Sequence, residues 1–107
     1  MFDYLMTKEQ LKIRDEAREL VKWVPRQMIL DMDADVIKFP KEFLREAGRR
    51  NLLGCRYPRK WGGREMDWVT TCMLMEEIGT LGYEFSCVFG VGAELVCDAI
   101  ILHGTDE

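Results

Sequence analysis

One histidine, His103, stands in 107 residues, and its isolation excludes more chemistry than any motif supplies. A di-iron bundle needs Glu-x-x-His pairs on two helices, yet the residue three before His103 is Ile100. A histidine-based nucleophilic triad needs a motif around a serine or cysteine as well, and none is present. Cys55, Cys72, Cys87 and Cys97 are widely spaced with no CxxC, so reduced core thiols are expected rather than a disulfide framework or a metal site. The only paired glycines, Gly62-Gly63, fit neither GxxxxGK[ST] nor GxGxxG, which removes the two common phosphate cradles. No stretch alternates like a β-strand, and there is no internal repeat. A formal charge of −4 gives no global signal for nucleic acid or membrane surfaces. The start lacks a basic-then-apolar leader pattern, so a cytoplasmic location is expected.

What is present is helical. Residues 85–102, FSCVFGVGAELVCDAIIL, are apolar almost all the way round, broken only by Ser86, Glu94 and Asp98. Such a helix would be roughly 27 Å long and belongs either at the centre of a bundle or in a membrane. Each carboxylate at a bilayer centre costs about 2.5–3.5 kcal/mol, so the reading is a buried central helix and no membrane span. The others are predicted to fold around it. Thr7-Lys8-Glu9-Gln10 is a capping box opening a helix with Leu11, Ala17, Leu20, Val21 and Val24 on its apolar face. Pro25 ends or kinks it, with further helix from Arg26 to about Met32. Pro40 is expected at the first position of the next helix, which buries Phe43, Leu44 and Ala47 and stops near Asn51. Residues 52–55 are read as extended. Tyr57-Pro58-Arg59-Lys60-Trp61-Gly62-Gly63 is a loop in which glycine allows a positive φ. Asp67 caps a helix from Trp68 to about Ile78, with Trp68, Thr71, Cys72, Met75 and Ile78 along one face and Met73-Leu74 broadening it. His103-Gly104 ends the last helix.

Three charged patterns invite function. Asp31, Asp33, Asp35 and Glu42 hold most of an EF-hand ligand spacing, but Val36 stands where the turn needs glycine and Pro40 interrupts the loop, so a solvated connector is expected. Glu76, Glu77, Glu94 and Asp98 include candidate general bases if one were buried; surface charge for the first pair and a salt bridge or backbone hydrogen bond for the second are the simpler readings. Arg45, Arg49, Arg50, Arg56, Arg59, Lys60 and Arg64 face only Glu46 and Glu65 in the same stretch. They suit either phosphates or a solvated or interdomain surface.

The order of several motifs is more specific than any one of them. Phe39-Pro40-Lys41-Glu42-Phe43-Leu44, Gly54, the 57–63 loop, Met75-Glu76-Glu77-Ile78-Gly79 and His103-Gly104-Thr105-Asp106-Glu107 together resemble the acyl-CoA dehydrogenase family, from about Thr7 to the last residue. The resemblance covers that family's N-terminal helical domain. It implies an all-α fold, a small bundle of about four main helices, as a single domain over 1–107 without the family's β-domain or C-terminal helical domain. It implies a parent FAD flavoprotein of fatty acid metabolism that dehydrogenates acyl-CoA thioesters between Cα and Cβ. The implied partners are acyl-CoA, an electron-transfer flavoprotein and further copies in a homo-oligomer. Relatives with this domain also run oxidase and monooxygenase chemistry. The base and flavin-binding residues of most members lie beyond this domain, so no catalytic, cofactor-binding or metal-ligating residue is assigned, and the isolated chain is expected to be inactive and free of FAD. Register from His103-Gly104 places Cys87, Val88, Val91 and Leu95 on the wall of the acyl pocket. The alternative is a stand-alone helical interaction or oligomerisation module that associates through its apolar faces.

Overall fold

The computed structural model describes residues 2–107; the first residue of the short apolar lead lies outside that range. After a single turn at Asp3–Leu5, five helices follow: α1 (Lys8–Trp23), α2 (Arg26–Asp33), α3 (Lys41–Arg49), α4 (Trp68–Gly79) and α5 (Tyr83–His103). No strand occurs among the described residues, and the all-α bundle is as expected.

Helix starts follow the capping residues. The Thr7 hydroxyl accepts from the Gln10 amide at 3.1 Å, and the Thr7 amide donates to Gln10 Oε1 at 2.9 Å. Gln10 Nε2 then donates to Asp67 at 3.0 Å, and Asp67 caps α4 by accepting from the Thr70 amide at 2.8 Å. One glutamine therefore ties the starts of α1 and α4 together, and these two helices form the main packed pair. Pro40 sits one residue ahead of expectation, as the cap rather than the first helical residue of α3. Asn51 ends that helix in a left-handed conformation, φ 56°. Asp31 and Asp33 lie on α2 rather than in a loop, so no ion-binding loop geometry forms there.

The core gathers Ile13, Ala17, Leu20, Val24, Phe43, Ala47, Leu52, Leu74, Ile78, Phe85 and Phe89. Phe43 meets Phe85 edge-on, with centroids 5.1 Å apart, a geometry favoured by the ring quadrupoles. Four details depart from the sequence reading. Ile13, rather than Leu11, begins the buried stripe of α1. On α4 the expected Thr71, Met73, Leu74 and Ile78 are buried, but Thr70 joins them while Trp68 and Cys72 are exposed. Of the cysteines only Cys55 is buried. Residues 53–56 turn rather than extend.

The larger correction concerns α5. It is long and apolar enough to cross a membrane by length and composition, yet only 17% of its most apolar stretch is buried. Phe85, Phe89 and Ala93 enter the core; Val91, Leu95, Val96, Ile100, Ile101 and Leu102 face outward. The helix is not central. Its middle segment, Val91–Val96, is wound as a π-helix, which adds a residue to the turn and swings everything after it around the axis. The stripe that reaches the core in the first half therefore does not continue in the second.

Candidate functional site

The 54–66 loop closes on itself before it meets α5. Backbone amides of Arg64, Glu65 and Met66 donate to the carbonyls of Gly54, Tyr57 and Cys55 at 2.8–3.1 Å. Gly62 takes the expected positive φ, 87°. Gly63 is needed for a different reason: a Cβ there would overlap the Tyr57 carbonyl.

This loop presents Arg56 to α5. Arg56 Nη2 donates to Glu94 Oε2 at 2.9 Å and to Asp98 Oδ1 at 2.6 Å. Its guanidinium lies over the Trp68 ring, 3.7 Å from the centroid. Tyr57 adds a hydroxyl donated toward the Glu94 carbonyl at 3.2 Å and Asp98 Oδ1 at 3.3 Å. Burial works against the Arg56 charge, but the hydrogen bonds to Asp98 and Glu94 outweigh it and hold its pKa above the ordinary value. Burial first, and then Glu94 and Asp98, push the Tyr57 phenol far up. The two carboxylates that interrupt the apolar helix are thus held by a cation, as a salt bridge. This is the salt bridge that the simpler sequence reading of Glu94 and Asp98 expected. Glu77 is likewise taken, by Arg18 Nε at 2.8 Å, and Glu76 is exposed.

The basic stretch is equally committed. Arg45 pairs with Glu42, Arg49 and Arg50 with Glu46, Arg59 with Glu65, Lys60 with Asp106 and Arg64 with Glu16. Hydrogen bonds from Arg49 and then Arg50 bring the Glu46 carboxyl down to about 2. With Arg56 also engaged, each of the seven cations has a carboxylate partner, the buried-edge pairs of Arg50, Arg56 and Arg64 being the firmer and those of Arg45, Arg59 and Lys60 exposed surface pairs. An open hollow of about 910 Å³ lies between α1 and Arg50 and Arg64, lined by charges of both signs, among them Lys8, Lys12, Asp15, Glu16 and Glu19.

Cys87, Val88, Val91 and Leu95 lie along α5, none of them in the buried core. Cys87 and Val88 are half-buried; Val91 is 50% and Leu95 68% exposed. Gly90 packs toward the Met75 methyl, whereas a Cβ on Gly92 would meet nothing within 4 Å. Beyond Leu95 a second apolar hollow of about 660 Å³ opens between the end of α5 and the 57–63 loop, with Leu53, Trp61, Cys97, Ile100 and Ile101 in its lining.

Arg56, Trp68, Tyr57 and the π-helical turn were not legible in the sequence. The available signal was Glu94 and Asp98 at i and i+4 in an otherwise apolar helix, which calls for a partly buried cation.

Comparison with known proteins agrees with this architecture. Residues 7–107 match the family described as "Acyl-CoA dehydrogenase, N-terminal domain". The "Acyl-CoA dehydrogenase, short-chain specific" of Clostridium acetobutylicum is 23% identical over 105 residues, and "Probable acyl-CoA dehydrogenase YngJ" of Bacillus subtilis is 22% identical over 107. Each alignment covers 98% of this chain and 27% of the relative, so the chain spans about a quarter of their length. No solved structure matches it. A family match running from the α1 cap to the last residue, on a fold of the expected class, is decisive: the chain belongs to the acyl-CoA dehydrogenase family, as its N-terminal helical domain.

Proposed function

We propose that this domain supplies one wall of the acyl pocket of an FAD-dependent acyl-CoA dehydrogenase and performs no chemistry by itself. The observation that carries the reading is the open face of α5. Cys87, Val88, Val91 and Leu95 are uncharged, and Arg56 holds the neighbouring carboxylates Glu94 and Asp98 in a salt bridge. An alkyl chain gains from contact with such side chains, at about 0.8 kcal/mol per methylene removed from water.

No phosphate cradle is formed by the paired glycines, since Gly62 and Gly63 are used in a closed loop. In this reading the flavin, and the base that removes the α-proton, belong to other domains of the complete enzyme. This domain positions the acyl chain and excludes water from one side of it. Electron-transfer flavoprotein as the acceptor, a role in fatty acid metabolism and a cytoplasmic site of action are part of the same proposal.

The test is a chimera in which this chain replaces the matching segment of the Clostridium relative, with Val91→Phe and Leu95→Phe made in it. The expected result is a fall of tenfold or more in kcat/KM for the longest acyl-CoA accepted, relative to the shortest, with flavin content unchanged. An equal loss at all chain lengths, or no loss, would overturn the wall assignment.

A further inference from the structure

We infer that Arg56 is a positioning residue: its ion pairs with Glu94 and Asp98 hold the π-helical turn of α5 and so decide which side chains beyond that turn face the core. At about 100° per residue, an unbroken α-helix would carry the stripe begun by Phe85, Phe89 and Ala93 on through Val96 and Ile100. The same winding would put Asp98 about 180° from the centre of that stripe, directed into water. The structure shows the reverse. Val96 is 50% and Ile100 59% exposed, whereas the Glu94 and Asp98 side chains are 15% and 30% exposed and lie against Arg56.

The extra residue in Val91–Val96 accounts for both changes at once. It sets everything beyond it back by about 100°, which takes Asp98 toward the core side and Val96 and Ile100 away from it. Cys97 marks the turn: its thiol donates to the Gly92 carbonyl, five residues back, at 3.2 Å. This winding leaves two β-branched side chains in water, so an attraction must offset it. Arg56 is the group placed to supply that attraction. Its Nη2 reaches one carboxylate inside the turn at 2.9 Å and one just past it at 2.6 Å, and the Trp68 ring stacked on the guanidinium fixes the arginine in place. Leu95 lies within the turn. In the acyl-wall reading, on which this consequence alone rests, Arg56 therefore also aims Leu95.

Thiol labelling tests the winding in the full 107-residue chain, without an acyl ligand. The ionic group is removed as a whole, by Arg56→Met with Glu94→Gln and Asp98→Asn, so that no unpaired charge stays behind. Regular winding should then turn Cys97, half-buried in the wild type, outward and position 100 inward. With an iodoacetamide reagent and peptide mass spectrometry, Cys97 should be labelled about threefold or more faster than in the wild type, since reaction follows exposure. A thiol introduced by Ile100→Cys should be labelled about threefold or more slower for the same reason. Cys87, ahead of the turn, should keep its rate. Opposite changes separate rotation from loosening, which would quicken both thiols. Asp98→Asn alone, a milder change, should move the two rates in the same directions. Unchanged rates, or both thiols quickened together, would overturn the inference. The wall reading stands or falls instead on the chain-length ratios of the chimera, so the two failures are distinct.

Discussion

Replacing Arg56 by methionine keeps the length and apolar stem of the side chain but removes the cation between Glu94 and Asp98. The arginine side chain is 14% exposed, Glu94 15% and Asp98 30%, so the pair sits at the boundary of the core. Removing one partner of a buried ion pair costs about 3–5 kcal/mol; with Asp98 reached by water, about 2–3 kcal/mol is the reasonable expectation. A domain of this size shifts its Tm by roughly 4–5 °C per kcal/mol, so Arg56→Met should melt about 10 °C below wild type. Urea unfolding followed by circular dichroism measures the loss. The cause is tested by adding Glu94→Gln and Asp98→Asn. If uncompensated charge is responsible, the triple variant should recover more than half of the loss, because replacing all members of a buried ionic group is close to neutral. Native-state hydrogen exchange should also rise across residues 97–103, which depend on this contact more than on the core. A loss below about 0.5 kcal/mol, the size of a surface pair, or no recovery in the triple variant, would refute the argument.

Asp67→Ala should cost about 1–2 kcal/mol, since the cap of α4 and its link to Gln10 are lost together. Hydrogen bonds from the Thr70 amide and hydroxyl hold the Asp67 carboxyl below its ordinary value. The stabilisation is therefore complete above the unfolded-state pKa near 4 and fades as pH falls through the lower folded value. The Tm gap between wild type and variant should accordingly narrow in acid. Thiol labelling should follow burial: Cys72 reacts first with an iodoacetamide reagent at pH 8, and Cys55, whose thiol burial pushes up to about 11, reacts only on unfolding, as read by peptide mass spectrometry. Gly63→Ala should destabilise more than Gly62→Ala in the same melts. The first collides with the Tyr57 carbonyl, while the second meets only the strain of φ 87° with open space around it, about 1 kcal/mol.

Local features were readable in advance where the physics is local. Thr7-x-x-Gln10, Asp67, Asn51 and His103-Gly104 each set a helix end through their own backbone and side-chain hydrogen bonds. The rotation of α4 was not readable. Trp68 is drawn outward to stack on Arg56, a partner separated from it by a loop whose path depends on Gly63 fitting against Tyr57.

By itself the sequence determined the helices, their ends, the all-α class and the ordered motifs that mark the family, since these depend on propensity, capping and spacing along the chain. Which side of α5 meets the core was decided only in three dimensions. An all-apolar helix carries no periodicity to reveal what covers each face. The choice came from Phe43 meeting Phe85 and Phe89, from the extra residue in the π-helical turn, and from one arginine some 40 residues away that holds Glu94 and Asp98. Those contacts leave the second half of the helix uncovered.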